Sequence, residues 1–250
     1  MLNKATELKN YKLSCIDGEI GKVKEFYFDD NFWAIRYLIV NTGNWLTGRQ
    51  VIISPYALNG VNVEDESITI NLTKNQIEKS PSLLDNESIS RPYEEKYCEY
   101  YKWPVYWENT NMDGTNGLSP QENLIRTPQA KNHLHMASEV IGYNIQAADG
   151  EIGHVKDFIV DDETLTVRYL IVDTKNWLLG KKVLVSPKWI ENVSWADSTV
   201  SINLLRETIK NSPEYTDEIL VTRDYENKLY HHYNQQGYWI NETNPNDHLL

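Results

Sequence analysis

Short apolar segments of the β type follow one another along the first part of the chain, separated by polar turns. Within a segment, apolar and polar residues alternate or run together as they do in strands, where successive side chains face opposite sides of a sheet. The predicted strands are Lys12–Ile16, Gly21–Phe28, Ala34–Asn41, Arg49–Ser54, Val61–Val63 and Ser67–Leu72. Strands this short and this close together favour a small closed barrel or half-barrel, because closure removes exposed sheet edges.

The periodicity becomes helical after these strands. The segment Thr73–Gln76 fits a capping box and predicts a short helix, which ends before Pro81 because the residue preceding a proline avoids helical angles. A second helix is predicted over Arg91–Tyr101, with Ser90 as its N-cap. Each strand-rich segment is therefore expected to carry a helical extension.

The chain then repeats itself 132 residues later without insertion or deletion. Gly18–Gly21 returns as Gly150–Gly153, and Arg36–Val40 returns as Arg168–Val172. About 42 of the 103 paired positions from residue 5 to residue 107 are identical, which indicates an internal duplication. The second copy predicts the same strands and a helix over 223–233 after Thr222, whereas Leu205 replaces the capping threonine and predicts a less firmly started helix.

The repeat predicts the domain organisation. Two small mainly β barrels, each with a helical and aromatic extension, are expected over 1–107 and 135–240. Residues 108–134 are rich in polar residues, glycine and proline and predict a linker, and 241–250 predict a flexible tail.

Composition narrows the class of protein. A hydrophobic fraction of 40% and an aromatic fraction of 11% in 250 residues are too high for a disordered chain. No apolar run approaches the ~18 residues that a membrane helix needs, and the N-terminus lacks the apolar stretch of a secretory signal. The protein is therefore expected to be soluble, cytoplasmic and without a transmembrane segment.

Charge and cysteine content exclude further roles. The net charge is −12 and both repeats are acidic, so most of the surface would repel a phosphate backbone and nucleic acid is not an expected partner. The second repeat has Ala147 and Tyr230 opposite Cys15 and Cys98, so both cysteines are expected to be free thiols in a reducing compartment.

The repeated motifs resemble the PRC-barrel family. They are the Gly-x-Ile-Gly-x-Val-Lys-(Glu/Asp)-Phe segments, the Asp-Asp turns, the Arg-Tyr-Leu-Ile-Val strands and the strands that end in Ser-Pro. The family includes the cytoplasmic domain of the photosynthetic reaction-centre H subunit and the C-terminal domain of a ribosome maturation factor. The later Arg-x-Tyr-Glu and Tyr-Trp motifs resemble bacterial proteins with two tandem PRC barrels. The resemblance implies the fold, but a family with such different roles does not imply one function.

Residues with metal-binding or catalytic chemistry do not form a set common to both repeats. The acidic turns Asp29-Asp30 and 161–163 lack calcium-loop spacing and are interpreted as structural turns. His133 and His135 in the linker, and the pair at 231–232, lack further ligands. No metal, no cofactor and no catalytic residue is therefore predicted, and the protein is expected not to be an enzyme.

Two arginines interrupt the apolar strands at equivalent positions. Arg36 and Arg168 are expected to pair with nearby carboxylates, although an arginine in this position can also recruit an acidic partner.

Tryptophans outside the strands are the candidate protein-binding residues. Trp45 and Trp177 lie in long loops, where they either cap the barrel mouth or await a partner, and capping is the favoured interpretation. Trp103, Trp107 and Trp239 lie in the aromatic extensions, which either seal a barrel or form a protein-binding surface.

Two functions follow from these interpretations. The first is a non-enzymatic scaffold or adaptor that binds a protein partner of unknown identity, with a second copy of the chain as one option. The alternative is small-molecule or metal binding at the interface between the two barrels.

Overall fold

The chain folds into two compact units. The computed structural model describes residues 1–47, 49–84, 88–107, 133–174 and 180–240. One compact unit, here called the N-terminal unit, comprises Lys9–Met136, and the other, the C-terminal unit, comprises Met1–Leu8 together with Ala137–Leu250. The predicted linker lies outside the described residues except at its last two positions, and the predicted tail lies wholly outside them.

Strands account for most of the regular structure in both units. In chain order they are β1 Leu2–Lys4, β2 Lys12–Cys15, β3 Gly18–Asp29, β4 Ala34–Asn41, β5 Arg49–Ile53, β6 Leu58–Asn62, β7 Ser67–Ile70, β8 Leu83–Leu84, β9 Leu134–Met136, β10 Asn144–Ala147, β11 Gly150–Asp161, β12 Val167–Asp173, β13 Lys182–Val185, β14 Ile190–Ser194 and β15 Thr199–Ile202. The helices are α1 Ala5–Leu8, α2 Lys74–Lys79, α3 Arg91–Tyr101, α4 Ala137–Val140, α5 Arg206–Lys210 and α6 Arg223–His232.

The two sheets share one strand order. The N-terminal sheet runs β6-β7-β2-β3-β4-β5-β8, and the C-terminal sheet runs β14-β15-β10-β11-β12-β13. The predicted mainly β architecture is confirmed. Among the described residues the hydrogen-bonded order is an open path in each unit, so the closure into a barrel that the sequence predicts is not shown.

A glycine at one position in each sheet explains part of the repeated motif. Gly21 has a φ of +146°, and a Cβ atom on it would lie 2.1 Å from the carbonyl oxygen of Asn41. Gly153 has a φ of +150°, and its Cβ would lie 2.0 Å from the carbonyl oxygen of Asp173. Only glycine fits such a close backbone approach, so the fold requires this residue in both repeats.

The first strands of the two repeats are exchanged. Strand β1 belongs to the first repeat but pairs with β11 of the second, with Leu2 opposite Asp161. Strand β9 opens the second repeat but pairs with β3 of the first, with Leu134 opposite Asp29. Both pairings are antiparallel and have the same register once the 132-residue displacement is applied.

The exchange fills one edge of each long strand. Strand β10 pairs with Gly150–His154 on β11, and β1 pairs farther along at Ile159–Asp161. Strand β12 occupies the opposite edge. The exchanged strand thus continues the edge that β10 leaves open, which protects backbone groups that would otherwise be unpaired.

Helix starts follow most of the sequence predictions. The Thr73 hydroxyl accepts a hydrogen bond from the Gln76 backbone at 3.3 Å, and the Gln76 side chain accepts one from the Thr73 backbone at 2.8 Å, which confirms the capping box. Leu205 makes no side-chain cap, as expected. Thr222 caps α6 through its side chain. Ser90 occupies the N-cap position of α3 as predicted, but its side chain makes no cap hydrogen bond, and Pro92 lies in the first turn of that helix.

No helix among the described residues is both long enough and apolar enough to cross a membrane.

Candidate functional site

The helical extension of the N-terminal unit is held to its sheet by a buried polar network. Arg36 of β4 pairs with the carboxylate of Asp29, and its guanidinium carbon lies 4.1 Å from the ring centre of Tyr106. The hydroxyls of Tyr37 and Tyr106 donate to the same carboxylate oxygen of Glu94 on α3, at 3.1 and 3.0 Å. Glu94 therefore links the sheet, the helix and the end of the extension.

The C-terminal unit contains the same network at the displaced positions. Arg168 pairs with Asp161 at 2.9 Å and lies 4.1 Å from the ring centre of Tyr238. The hydroxyls of Tyr169 and Tyr238 donate to Glu226 at 2.6 and 2.9 Å. The expected pairing of the two strand arginines with carboxylates is thus confirmed. Each arginine forms its ion pair within its own unit.

A second arginine of each network positions the terminal tryptophan. Arg91 pairs with Glu94 at 3.2 Å, and its guanidinium carbon lies 3.9 Å from the ring centre of Trp107. In the other unit Arg223 occupies the same position, 4.1 Å from the ring centre of Trp239. Both tryptophans are half-buried, with one face of each ring covered by an arginine.

Burial shapes the electrostatics of these carboxylates. Desolvation raises the pKa of Glu94, against the opposing effects of Arg91 and the two tyrosine donors. Desolvation also raises the pKa of Asp29 despite the charge of Arg36. Burial acts in the same direction on Asp161, but the hydrogen bonds and charge of Arg168 outweigh it and lower the pKa of that carboxyl.

A row of four aromatic rings crosses the surface of the N-terminal unit, and we call it the aromatic ladder. Trp103 stacks on Tyr101 with 4.4 Å between ring centres and an interplanar angle of 12°. Tyr101 contacts Tyr100 at 4.7 Å, and Trp103 contacts Tyr56 at 6.0 Å. The inner two rings are half-buried, whereas Tyr56 and Tyr100 are 47% and 39% exposed.

The ladder rests on a buried ring beneath it. Tyr97 of α3 is fully buried and donates through its hydroxyl to the carbonyl of Ile52 at 2.8 Å. Trp103 lies 6.0 Å from Tyr97, and burial raises the pKa of Tyr101 to about 12. The aromatic extension therefore covers its own unit and leaves the ends of the ladder exposed.

The C-terminal unit has no such ladder at the equivalent positions. Lys188, His232 and Gln235 replace Tyr56, Tyr100 and Trp103. The indole of Trp189 instead lies 4.5 Å from Tyr233 and is only 8% exposed.

Of the two loop tryptophans, the structure describes Trp45 only. Trp45 is half-buried in the turn after β4, where its backbone N–H donates to the carbonyl of Thr42 at 3.2 Å. The ammonium nitrogen of Lys74 lies 6.0 Å from its ring centre. Trp177 lies outside the described residues. Capping and partner binding therefore both stay predictions for these two side chains.

The histidines assigned to the linker lie on or beside an exchanged strand instead, which corrects the sequence interpretation. His133 precedes β9 and His135 belongs to it, and both face the carboxylate of Asp30, at 3.2 and 3.4 Å. Burial would raise the pKa of Asp30, but the two imidazoles outweigh it and lower that pKa. These groups anchor the strand. The described residues contain no cluster of three or more His, Cys, Asp or Glu side chains that could hold a metal ion.

Sequence reasoning missed the role of Glu94 and Glu226 in the two networks. The signal was present, because Arg-x-Tyr-Glu recurs at the repeat displacement. The tyrosine donors come from a strand and from the end of the extension, so their convergence required the tertiary structure. Both cysteines are free, as expected, and both are buried.

These features define a tandem protein of two β units with one sheet order, each carrying a helical aromatic extension. The chain belongs to the PRC-barrel domain family, whose sequence model matches residues 3–77 and 134–208. No curated protein sequence matches the chain.

The matches start within exchanged strands and end within the helices that follow the sheets. The exchanged strand is therefore part of the family domain. The helical extensions lie outside it, and they contribute the glutamate and one tyrosine of each network and three of the four ladder residues, Tyr100, Tyr101 and Trp103.

Proposed function

We propose that the protein is a non-enzymatic cytoplasmic scaffold that binds a protein partner through the aromatic ladder of its N-terminal unit. The observation that carries this proposal is the ladder itself, four contacting rings with exposed ends at Tyr56 and Tyr100. Tyrosine and tryptophan are enriched at protein-binding hot spots because they bury a large area and offer a polar edge.

The rigidity of the ladder supports the same function. Stacking on Tyr101 and contact with buried Tyr97 hold the Trp103 ring in place before a partner arrives. The hydroxyl of Tyr100 also donates to the backbone carbonyl of Gln76 at 2.9 Å. A surface that is ordered in advance loses less side-chain entropy on binding.

The test compares two matched double variants. Tyr56→Ser with Tyr100→Ser removes the exposed ends of the ladder, and Lys188→Ser with His232→Ser is the control at the equivalent positions. The control is closely matched, because the His232 ring also contacts a backbone carbonyl, that of Thr208 at 2.7 Å. Far-ultraviolet circular dichroism should confirm that both variants remain folded.

Pull-down from cell extract then separates the outcomes. Proteins retained by the wild type and the control but lost from the ladder variant support the scaffold function. Identical protein sets from all three chains would contradict it. Sedimentation velocity over a range of concentrations tests the option that the partner is a second copy, since self-association must then be lost in the ladder variant alone.

The alternative of small-molecule or metal binding at the interface between the two barrels stays a prediction from the sequence.

A further inference from the structure

The exchanged segments carry core residues with them. Leu134 of β9 is buried in an apolar cluster of the N-terminal unit that includes Tyr27 and Tyr37 of the first repeat. Ala5 and Leu8 of α1 are buried, and α1 contacts β11 in the C-terminal unit. The core of each unit therefore contains side chains from both repeats.

The backbone contacts of the two exchanged segments are equivalent. The backbone N–H of Asp162 donates to the carbonyl of Met1 at 3.0 Å, and that of Asp30 donates to the carbonyl of His133 at 3.1 Å. The three paired residues of each strand also have the same register. Because the backbone does not distinguish the two segments, any preference of an edge for one of them comes from side chains.

The C-terminal unit provides carboxylates for polar side chains of the first segment. The ammonium group of Lys4 pairs with Asp217 at 3.2 Å. The hydroxyl of Thr6 donates to the buried carboxylate of Asp157, and the backbone N–H of Thr6 donates to the same carboxylate at 3.3 Å. These contacts favour the first segment at the edge of β11.

The N-terminal unit provides an apolar surface at the position equivalent to Lys4. Met136 occupies that position and packs against the apolar cluster that contains Leu134. A lysine there would bring its ammonium group against apolar side chains, which costs free energy when the charge lacks a partner. A methionine in place of Lys4 would lose the ion pair with Asp217. Each edge thus favours the segment of the other repeat over that of its own repeat.

We propose that these two edges are binding sites for the opening segment of the complementary repeat, and that this recognition does not require the linker. The partner of each repeat is therefore the other repeat of this chain, even after the chain is cut between them. The two segments act together, because a repeat that releases one of them is still held by the other at a high effective concentration. This inference is independent of the aromatic ladder, whose residues lie in neither segment.

Cleavage of the folded full chain tests the proposal. A protease recognition site is inserted after Gly117, within the predicted linker, and the protein is cut after it has folded. Sedimentation velocity should then show one species with the mass of the whole protein, with a dissociation constant on the order of micromolar or lower. Two separately sedimenting fragments at micromolar concentrations would overturn the proposal.

Strand-breaking variants show whether the exchanged segments hold the fragments together. Asn3→Pro combined with His135→Pro removes a backbone donor from both exchanged strands and should separate the fragments. Trp189→Ala is the matched control, because it removes a nearly buried ring of the C-terminal unit that lies in neither segment. Circular dichroism before cleavage establishes that each variant is folded. Associated fragments of the folded double variant, or equal separation of the control, would overturn the proposal.

Side-chain variants test why each edge selects the complementary segment, and they replace the proline variants if those do not fold. Met136→Lys should weaken association of the fragments about tenfold, whereas Met136→Leu, which keeps an apolar side chain of similar volume, should leave it unchanged. Lys4→Met should weaken association about threefold, because one partly exposed ion pair is lost. Unchanged association for folded Met136→Lys would overturn the selection that the two edges are proposed to make.

Discussion

In each unit an indole packs against the tyrosine at the end of the long helix, but the two indoles come from different positions in the repeat. The N-terminal unit has Ala57 in the 3₁₀ turn Pro55–Ala57 and Trp103 after α3. The C-terminal unit has Trp189 in the 3₁₀ turn Pro187–Trp189 and Gln235 after α6. In both cases the indole contacts the tyrosine near the helix end, at 4.4 Å in one unit and 4.5 Å in the other. The ring next to that tyrosine is retained while its place in the sequence changes.

A large and a smaller side chain also trade positions one helical turn earlier on the same helix. Tyr97 and Cys98 of the N-terminal unit correspond to Leu229 and Tyr230 of the C-terminal unit. Tyr97 contacts Tyr37 at 5.8 Å, and Tyr230 contacts Tyr169 at 6.4 Å, so a tyrosine meets the strand tyrosine in each unit. Close packing constrains the total volume more strongly than the identity at any one position.

The polar contacts differ less than the apolar ones. Both networks keep the arginine, aspartate, glutamate and two tyrosines at equivalent positions. A buried polar group needs a partner at a defined distance, whereas an apolar volume accepts several combinations of side chains. Duplication therefore preserved the network and allowed the rings to move.

The largest expected effect concerns the two indoles. Trp189→Ala should lower the free energy of unfolding of the C-terminal unit by about 4 kcal/mol, because a nearly buried ring is removed. Trp103→Ala should cost about half as much, since Trp103 is only partly buried. Urea unfolding, monitored in each unit by hydrogen exchange, measures both losses in unfolding free energy. Equal losses of unfolding free energy would show that the two indoles stabilise their units equally despite their different exposure, and would contradict this prediction.

The strand exchange predicts an effect in the unit opposite to the mutated repeat. Asn3→Pro in β1 should lower the local free energy of opening of β11 in the C-terminal unit by about 3 kcal/mol. Proline has no backbone N–H to donate to the neighbouring strand. The matched variant His135→Pro should loosen β3 of the N-terminal unit. Hydrogen exchange with peptide resolution distinguishes the two sheets. Faster hydrogen exchange in β3, rather than in β11, upon Asn3→Pro would contradict the swapped pairing of β1.

The strand arginines should differ in their contribution to stability. Arg168→Met removes the group that lowers the pKa of Asp161, and it should cost about 2 kcal/mol. Arg36→Met should cost less, because burial already raises the pKa of Asp29 in the presence of Arg36. Thermal melts of the two variants at pH 7 compare them. A larger loss for Arg36→Met would contradict the difference between the two aspartates.

The smallest expected effect is the acid titration of the same two aspartates. The lowered pKa of Asp161 means that its contribution to stability is present above the unfolded pKa, about 3.9, and is lost as the pH falls through the folded value. The raised pKa of Asp29 has the opposite sign, so its contribution is present at acid pH and is lost as the pH rises through the folded value. Carboxyl carbon resonances should titrate above the ordinary value for Asp29 and below it for Asp161. The reverse order would be inconsistent with these environments.

Local patterns were enough to predict many elements. Strand β4 and helix α3 have the predicted bounds, because a continuous apolar run and a helical period are properties of neighbouring residues. The pairing of Arg36 and Arg168 was also predictable, since a charge within an apolar strand requires an opposite charge nearby. Helix capping was predictable only in part, because the choice between a side chain and Pro92 at the start of α3 depends on the incoming backbone.

The sequence by itself determined the duplication, the family, the positions of most strands and helices, and the residues that needed partners. Only the tertiary structure decided which sheet receives β1 and β9, because a three-residue strand fits equivalent edges in both repeats and its local pattern does not select between them. It also decided that Trp103 joins an exposed ladder while Trp189 lies inward. Both outcomes depend on contacts between distant parts of the chain, where volume and hydrogen bonding are satisfied jointly rather than residue by residue.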